Sequence, residues 1–148
     1  MNESAMHTES LAEIGQAVQL TYQQLITDYQ LPPLRPMFFF NFLTSVTIPG
    51  SVTFIGFRAF SNNNLTNVVI PSGVITIQDV TFSRNRLTNV TIPNSVTSIG
   101  FGAFFDNNLT NVMIPSSVSS IGERAFADNS LTNVVVPHGA NVHPQAFD

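Results

Sequence analysis

The residues that could carry chemistry in this 148-residue sequence are few, and their spacing does not assemble a reactive site. There is no cysteine, which excludes thiol nucleophiles, disulfides and Cys-based metal sites. His138 and His143 lie five residues apart with no third ligand evident, so we interpret them as solvent-exposed loop residues rather than as a metal site. No Gly-rich phosphate loop, G-x-S-x-G motif or catalytic triad is supported by spacing. We therefore expect no catalytic residue, no metal, no cofactor and no enzymatic activity.

Charged side chains are scarce, at 9% of the sequence against the quarter that is typical of soluble domains. The formal net charge is −4, so no basic field favours nucleic acid or an anionic membrane as a partner. We interpret most of the charged residues as a solvated convex edge with a few exposed ion pairs, each worth about 0–1 kcal/mol. They are Asp79, Asp106, Glu123 and Asp128, with Arg58, Arg84, Arg86 and Arg124.

The elements that would have to position these residues follow from an internal repeat. Five columns recur five times at a spacing of 22 residues: a leucine, the threonine after it, a valine, an isoleucine or valine, and a proline. The leucines are Leu43, Leu65, Leu87, Leu109 and Leu131. One such unit cannot bury its apolar side alone, so stacked units about 4.8 Å apart must share a continuous core.

Each unit begins with a segment L-x-x-V-x-I, whose alternation predicts a short β-strand. The proline that follows ends the strand because it has no N–H to donate. We expect five parallel strands, near residues 46–48, 68–70, 90–92, 112–114 and 134–136, in one curved sheet opposite an irregular or 3-10 convex side. Gly56, Gly100 and Gly122 mark the next turn, where glycine permits a positive φ or close packing.

Two further columns have a structural interpretation. The phenylalanines Phe60, Phe82, Phe104 and Phe126 predict a stacked aromatic core. The asparagines Asn63, Asn85, Asn107 and Asn129 each stand two residues before a leucine. At the end of a loop such a side chain can satisfy backbone groups of its own and the neighbouring unit, which would otherwise be buried without partners.

The segment LTNVTIPNSVTSIGFGAFFDNN, from Leu87 to Asn108, resembles the BspA-type, or treponemal-class, leucine-rich repeat. That family reads roughly L-x-x-L-x-L-P-x-x-L-x-x-I-G-x-x-A-F-x-x-C/N, and the resemblance covers about residues 36–148. It implies a leucine-rich-repeat solenoid of the α/β class that is rich in β-structure. Family members are mostly surface, adhesion or other partner-binding proteins of bacteria and protists.

The N-terminal segment differs from the repeats. Ser10 and Glu13 form a capping-box pattern, and apolar residues from Leu11 to Tyr29 recur at three- and four-residue steps, which predicts an amphipathic helix over residues 8–30. We expect residues 1–35 to form a helical cap on a solenoid of about five repeats in residues 36–148, both within one structural domain. The alternative is a helix that binds a partner or dimerises.

The last unit is degenerate, because His138 to Phe147 is one residue short. We expect an incompletely covered edge, which favours either self-association through residues 131–148, as a homodimer, or a natural chain that continues past Asp148.

The remaining candidates are the outward strand positions, none of which is charged. We predict that they form a concave face that binds a protein or surface ligand, with a solvated sheet face as the plain alternative. The positions are Ser45, Thr47, Asn67, Val69, Asn89, Thr91, Asn111, Met113, Asn133 and Val135.

The sequence thus favours a non-enzymatic interaction scaffold. Its rivals are a purely structural segment of a longer repeat array or self-assembling module and, as a minor alternative, glycan or ice binding through the Thr and Asn ladders. No signal peptide is visible, and the apolar run Met37 to Phe40 is too short to span a bilayer, so no membrane insertion is expected and the compartment is left open.

Overall fold

The computed structural model describes residues 43–148, which form a solenoid of stacked coils, each coil being one 22-residue unit. Every complete coil contributes two short strands. The strands that begin a coil are β1 (Asn67–Val69), β3 (Asn89–Thr91), β5 (Asn111–Met113) and β7 (Asn133–Val135). Those that follow the proline turn are β2 (Thr76–Ile77), β4 (Ser98–Ile99), β6 (Ser120–Ile121) and β8 (Asn141–Val142).

The expected parallel pairing is confirmed, but the expected single sheet is wrong. The second set of strands forms a four-stranded ladder in the order β2-β4-β6-β8, and the first set forms two separate pairs, β1-β3 and β5-β7. Paired residues are 22 apart along most of this register, as in Val68 with Val90 and Ile77 with Ile99. The sequence pattern missed the second set because those strands are only two residues long, too short for alternation to be recognised.

The first strands begin and end one residue earlier than predicted. For example, β1 spans residues 67–69 rather than 68–70. The proline explains the early end. A ladder bond beyond Ile70 would use the N–H of residue 71, and Pro71 has none to donate. In the described residues no strand is formed at 46–48.

The third side of each coil, after the second strand, consists of turns, and residues 43–148 contain no 3-10 helix there. Along these turns, successive N–H groups alternate between a carbonyl acceptor in their own coil and one in the next coil. Ala59 donates to the carbonyl of Gly56 at 3.2 Å, whereas Phe60 donates to Thr81 in the next coil at 2.9 Å. Because every second N–H is committed to the neighbouring coil, the i→i+3 bonds cannot propagate into a helix.

The core is a stack of like residues. Leu65, Leu87 and Leu109 are fully buried, and so is the phenylalanine column. Consecutive rings of Phe60, Phe82, Phe104, Phe126 and Phe147 lie 5.2–5.6 Å apart between centroids and within 5–12° of parallel. This geometry lies in the range of favourable offset stacking, and it confirms the predicted aromatic core.

The buried asparagine column, defined as Asn63, Asn85, Asn107 and Asn129, joins the coils by hydrogen bonds. The Asn85 Oδ1 accepts from the Leu65 N–H at 3.0 Å, and its Nδ2 donates to the carbonyls of Phe60 at 2.8 Å, Phe82 at 3.1 Å and Ser83 at 3.3 Å. Neighbouring coils repeat the pattern. These side chains therefore satisfy backbone groups of two coils at once, as the sequence predicted.

The helix predicted for residues 8–30 and the cap assigned to residues 1–35 lie outside the described residues, as does the start of the solenoid at residue 36. Within residues 43–148 no helix has the length and apolar character needed to cross a membrane.

Candidate binding surface

We call one surface the strand face: it consists of the outward side chains of the first strands together with Ser45 and Thr47, which hold the equivalent positions in the preceding coil. In β1, β3 and β5 the central valine is buried while the residues on both sides of it are exposed. This alternation is what a strand imposes on successive side chains. All ten predicted positions are exposed, namely Ser45, Thr47, Asn67, Val69, Asn89, Thr91, Asn111, Met113, Asn133 and Val135.

The strand face has a polar column and a largely apolar one. The exposed asparagine column, Asn67, Asn89, Asn111 and Asn133, begins each strand. The apolar column ends each strand and includes Val69, Met113 and Val135, which are 61%, 78% and 65% exposed. Thr91 lies between the first two of these. Met113 and Val135 are direct neighbours in the paired strands β5 and β7, so the apolar surface is continuous there.

The strand face contains no acid, base or nucleophile suited to catalysis, since its ten side chains are Asn, Ser, Thr, Val and Met. Its polar groups partly bond to one another, as the Asn133 Nδ2 donates to the Asn111 Oδ1 at 3.2 Å. What the surface offers a ligand is amide hydrogen bonding beside apolar contact.

The threonine column beside the strand face is less available to a ligand. The hydroxyls of Thr88 and Thr132 each donate at 3.3 Å to the carbonyl of the equivalent threonine in the preceding coil. These donors are therefore already used within the solenoid, which weakens the argument for glycan or ice binding through the threonine ladder.

The remaining candidate residues of the sequence are dispersed. His138 is exposed and His143 is half-buried. The His143 Nδ1 accepts from the Gln145 N–H at 3.2 Å, and its Nε2 lies 3.9 Å from a carboxylate oxygen of Glu123. No group of three or more His, Asp or Glu side chains suited to a metal ion occurs in residues 43–148.

The charged turns include one exposed ion pair of the expected kind, Arg124 with Asp128 at 3.4 Å. The sequence did not reveal that three of the arginines border the same cleft. Arg58, Arg84 and Arg124 line a single cleft together with Phe101 and Phe105. We call this the arginine cleft. The only signal for it was that all three arginines fall in turn columns of the repeat.

These features define a leucine-rich-repeat protein whose coils carry an exposed strand face. The chain matches the family described as the BspA type leucine rich repeat region in six copies over residues 35–148, and it belongs to that family. Such repeat families are typically non-enzymatic. Among curated proteins none is similar enough to be counted as a relative.

Two solved structures are similar to this chain. One is a leucine-rich repeat protein from Bacteroides ovatus ATCC 8483, with 37% identity and a TM-score of 0.62, covering 64% of this chain and 26% of that one. The other is a leucine rich cell surface protein from Faecalibacterium prausnitzii A2-165, with 37% identity and a TM-score of 0.48, covering 52% of this chain and 21% of that one. The chain thus spans about a quarter or less of the length of these two proteins.

Proposed function

We propose that the chain is a non-enzymatic interaction module that binds a protein partner through the strand face. The observation that carries this proposal is the apolar column, whose members Val69, Met113 and Val135 are each more than 60% exposed. A partner that covers them gains the free energy of apolar burial, about 25 cal/mol per Å². The family assignment supports an interaction or surface role of this general kind.

The chemistry of the strand face limits what the partner can be. None of the ten positions is ionisable, so long-range steering contributes little and the affinity should depend weakly on ionic strength. The exposed asparagine column would supply hydrogen bonds to polar groups of the partner at the rim of the apolar contact.

The test compares two matched variants of the purified chain in a capture assay. Met113→Lys places a charge in the strand face, and Ile75→Lys places the same charge at an apolar residue that is 53% exposed outside it. We expect Met113→Lys to weaken capture of the partner by about tenfold or more, because the lysine would be desolvated without a counter-charge. Ile75→Lys should leave capture unchanged, and wild-type binding should persist at high salt. Equal losses in the two variants would contradict the proposal.

A second candidate is self-association through residues 131–148, as a homodimer or within a repeat array. It is favoured by the last coil, where Val135 and Val136 are 65% and 37% exposed and Phe147 is only half-buried, whereas Phe126 is fully buried. Light scattering over a concentration series tests this candidate. Association that disappears in Val142→Lys supports it, and a strict monomer at high concentration rejects it.

A further inference from the structure

The arginine cleft lies on the turn side of the coils, away from the strand face. We infer that it is a second binding site, for a short acidic saccharide whose carboxylate or sulfate groups pair with Arg84 and Arg124. This site is independent of the proposed protein partner, because it uses other residues and another kind of interaction.

Three of the four arginines in residues 43–148 line this cleft, although the whole chain carries a net charge of −4. The cleft has a volume of about 250 Å³, slightly below the 300–1,000 Å³ of sites for drug-sized ligands. It therefore suits one or two rings rather than a long polymer. Guanidinium groups bind carboxylate and sulfate oxygens with paired, charge-assisted hydrogen bonds.

One glycine lines the cleft at a position where the other coils carry a side chain. Arg58, Val80, Gly102 and Arg124 occupy the same position in successive coils, and all four have left-handed backbones with φ between 54° and 59°. Three of them carry a side chain there, whereas Gly102 leaves space between Phe101 and Phe105. A Cβ at Gly102 would be in ordinary contact with Phe105 Cβ at 3.6 Å and Val80 Cγ2 at 4.0 Å, so a side chain at this position would fit without a clash and occupy part of the cleft.

The aromatic side chains give the cleft an apolar wall. Phe101 is 46% exposed, which is high for a phenylalanine. The guanidinium of Arg124 lies 4.5 Å from the centroid of the Phe105 ring, a cation–π contact between two residues that line the cleft. A sugar ring can pack its C–H face on Phe101 while its acidic substituent reaches an arginine, and a free inorganic anion would leave that wall uncovered.

Arg124 already has an acidic partner that would compete with the ligand. The Asp128 carboxylate lies 3.4 Å from Arg124 in an exposed ion pair. An acidic ligand has to displace this carboxylate or share the guanidinium with it. Removing the Asp128 charge should therefore strengthen ligand binding, whereas removing the charge of an arginine should weaken it. If these residues had only a structural role, the two changes would not have opposite effects on affinity.

Calorimetric titration of the intact chain provides the test, with three saccharide probes: a galacturonate dimer, a sulfated heparin disaccharide and a neutral galactose dimer. A glutamate tripeptide serves as an acidic ligand without sugar rings. We expect the acidic saccharides to bind in a salt-sensitive manner and the neutral dimer not to bind. Binding of the uronate alone, the sulfated sugar alone or both identifies the acidic group, and each of these results supports the site.

Matched variants locate the binding. Arg84→Asn and Arg86→Asn each install the residue that the preceding coil carries at that position, Asn62 and Asn64, and Asn62 shares the left-handed backbone of Arg84. Arg84 lines the cleft and Arg86 does not. We expect about tenfold weaker binding for Arg84→Asn, no change for Arg86→Asn, and a severalfold gain for Asp128→Asn.

One variant leaves all charges in place. Gly102→Val fills the cleft with the residue that stands at position 80, where the same backbone conformation is already adopted by a valine. Its binding should be lost while its melting curve stays cooperative. Equal weakening by the Arg84 and Arg86 variants, binding that survives Gly102→Val, tripeptide binding as tight as that of the saccharides, or no binding of either acidic saccharide would each overturn the inference.

Discussion

The buried and the exposed asparagine columns have the same residue type and the same 22-residue spacing, and they lie only four residues apart in the sequence. Asn85 is 8% exposed and its side chain makes four hydrogen bonds to backbone groups of two coils. Asn89, at the start of β3, is exposed. The two side chains differ in their hydrogen-bond partners. Asn85 supplies partners for buried backbone groups, whereas Asn89 is exposed to water.

This comparison shows that a regular column of polar residues does not by itself identify a binding surface. A repeat places every residue type in a column, both inside and outside. The hydrogen-bond requirements of the backbone decide which asparagines are structural, because each unpaired buried group costs about 1–3 kcal/mol.

Asn85→Asp should have the largest effect. The carboxylate keeps the shape of the side chain but has no donor. The amide Nδ2 of Asn85 donates to three carbonyl oxygens, and these would then face a carboxylate oxygen instead. A buried charge without a partner costs about 3–5 kcal/mol, so we expect a large fall in the urea midpoint or loss of cooperative unfolding. The same change at Asn89 serves as control. Similar midpoints for the two variants would show that the side chain of residue 85 does not need its donor.

Asn107→Ala should lower the free energy of unfolding by about 1–3 kcal/mol. The substitution removes the acceptor of the Leu87 N–H and the donor to the carbonyls of Phe82 and Phe104. Chemical denaturation monitored by circular dichroism measures it. A loss below about 0.5 kcal/mol would mean that water enters and replaces the amide.

Thr81→Ala should be milder, by about 1 kcal/mol or less, although residue 81 is completely buried. Its hydroxyl donates to the carbonyl of Gln78 at 2.7 Å, but that carbonyl also accepts from the Thr81 N–H at 3.4 Å. Three other coils carry alanine in this column, at Ala59, Ala103 and Ala125. Thermal unfolding measures the change. A loss as large as that of Asn107→Ala would show that burial alone, rather than backbone satisfaction, sets the cost.

Asn89→Ala should change stability by no more than about 0.5 kcal/mol, as expected for an exposed position. The measurement is the same denaturation series, and Asn107→Ala provides the contrast. Should the two variants prove equally destabilised, the assignment of inside and outside would be wrong.

Much of this architecture was predictable, because a repeat aligns each residue with its own kind in the next coil. The inward valines, the phenylalanine stack and the outward positions from Asn67 to Val135 all followed from periodicity and alternation. The boundary error of one residue came from treating Ile70 as a strand residue although Pro71 cannot complete its ladder. The second set of strands was missed because two residues such as Thr76–Ile77 carry too little pattern.

By itself the sequence determined the period, the parallel stacking and the identity of the core, because one apolar face repeated at constant spacing can be buried only by its neighbours. Only the tertiary structure decided that the first strands form two pairs rather than one sheet. Only the tertiary structure brought together Arg58, Arg84 and Arg124, which are 26 and 40 residues apart. Arginine is not repeated from coil to coil at these positions, since Val80 and Gly102 stand between Arg58 and Arg124 in their column, and all three arginines have left-handed backbones. Such departures from the repeat become a site only when the coils are stacked.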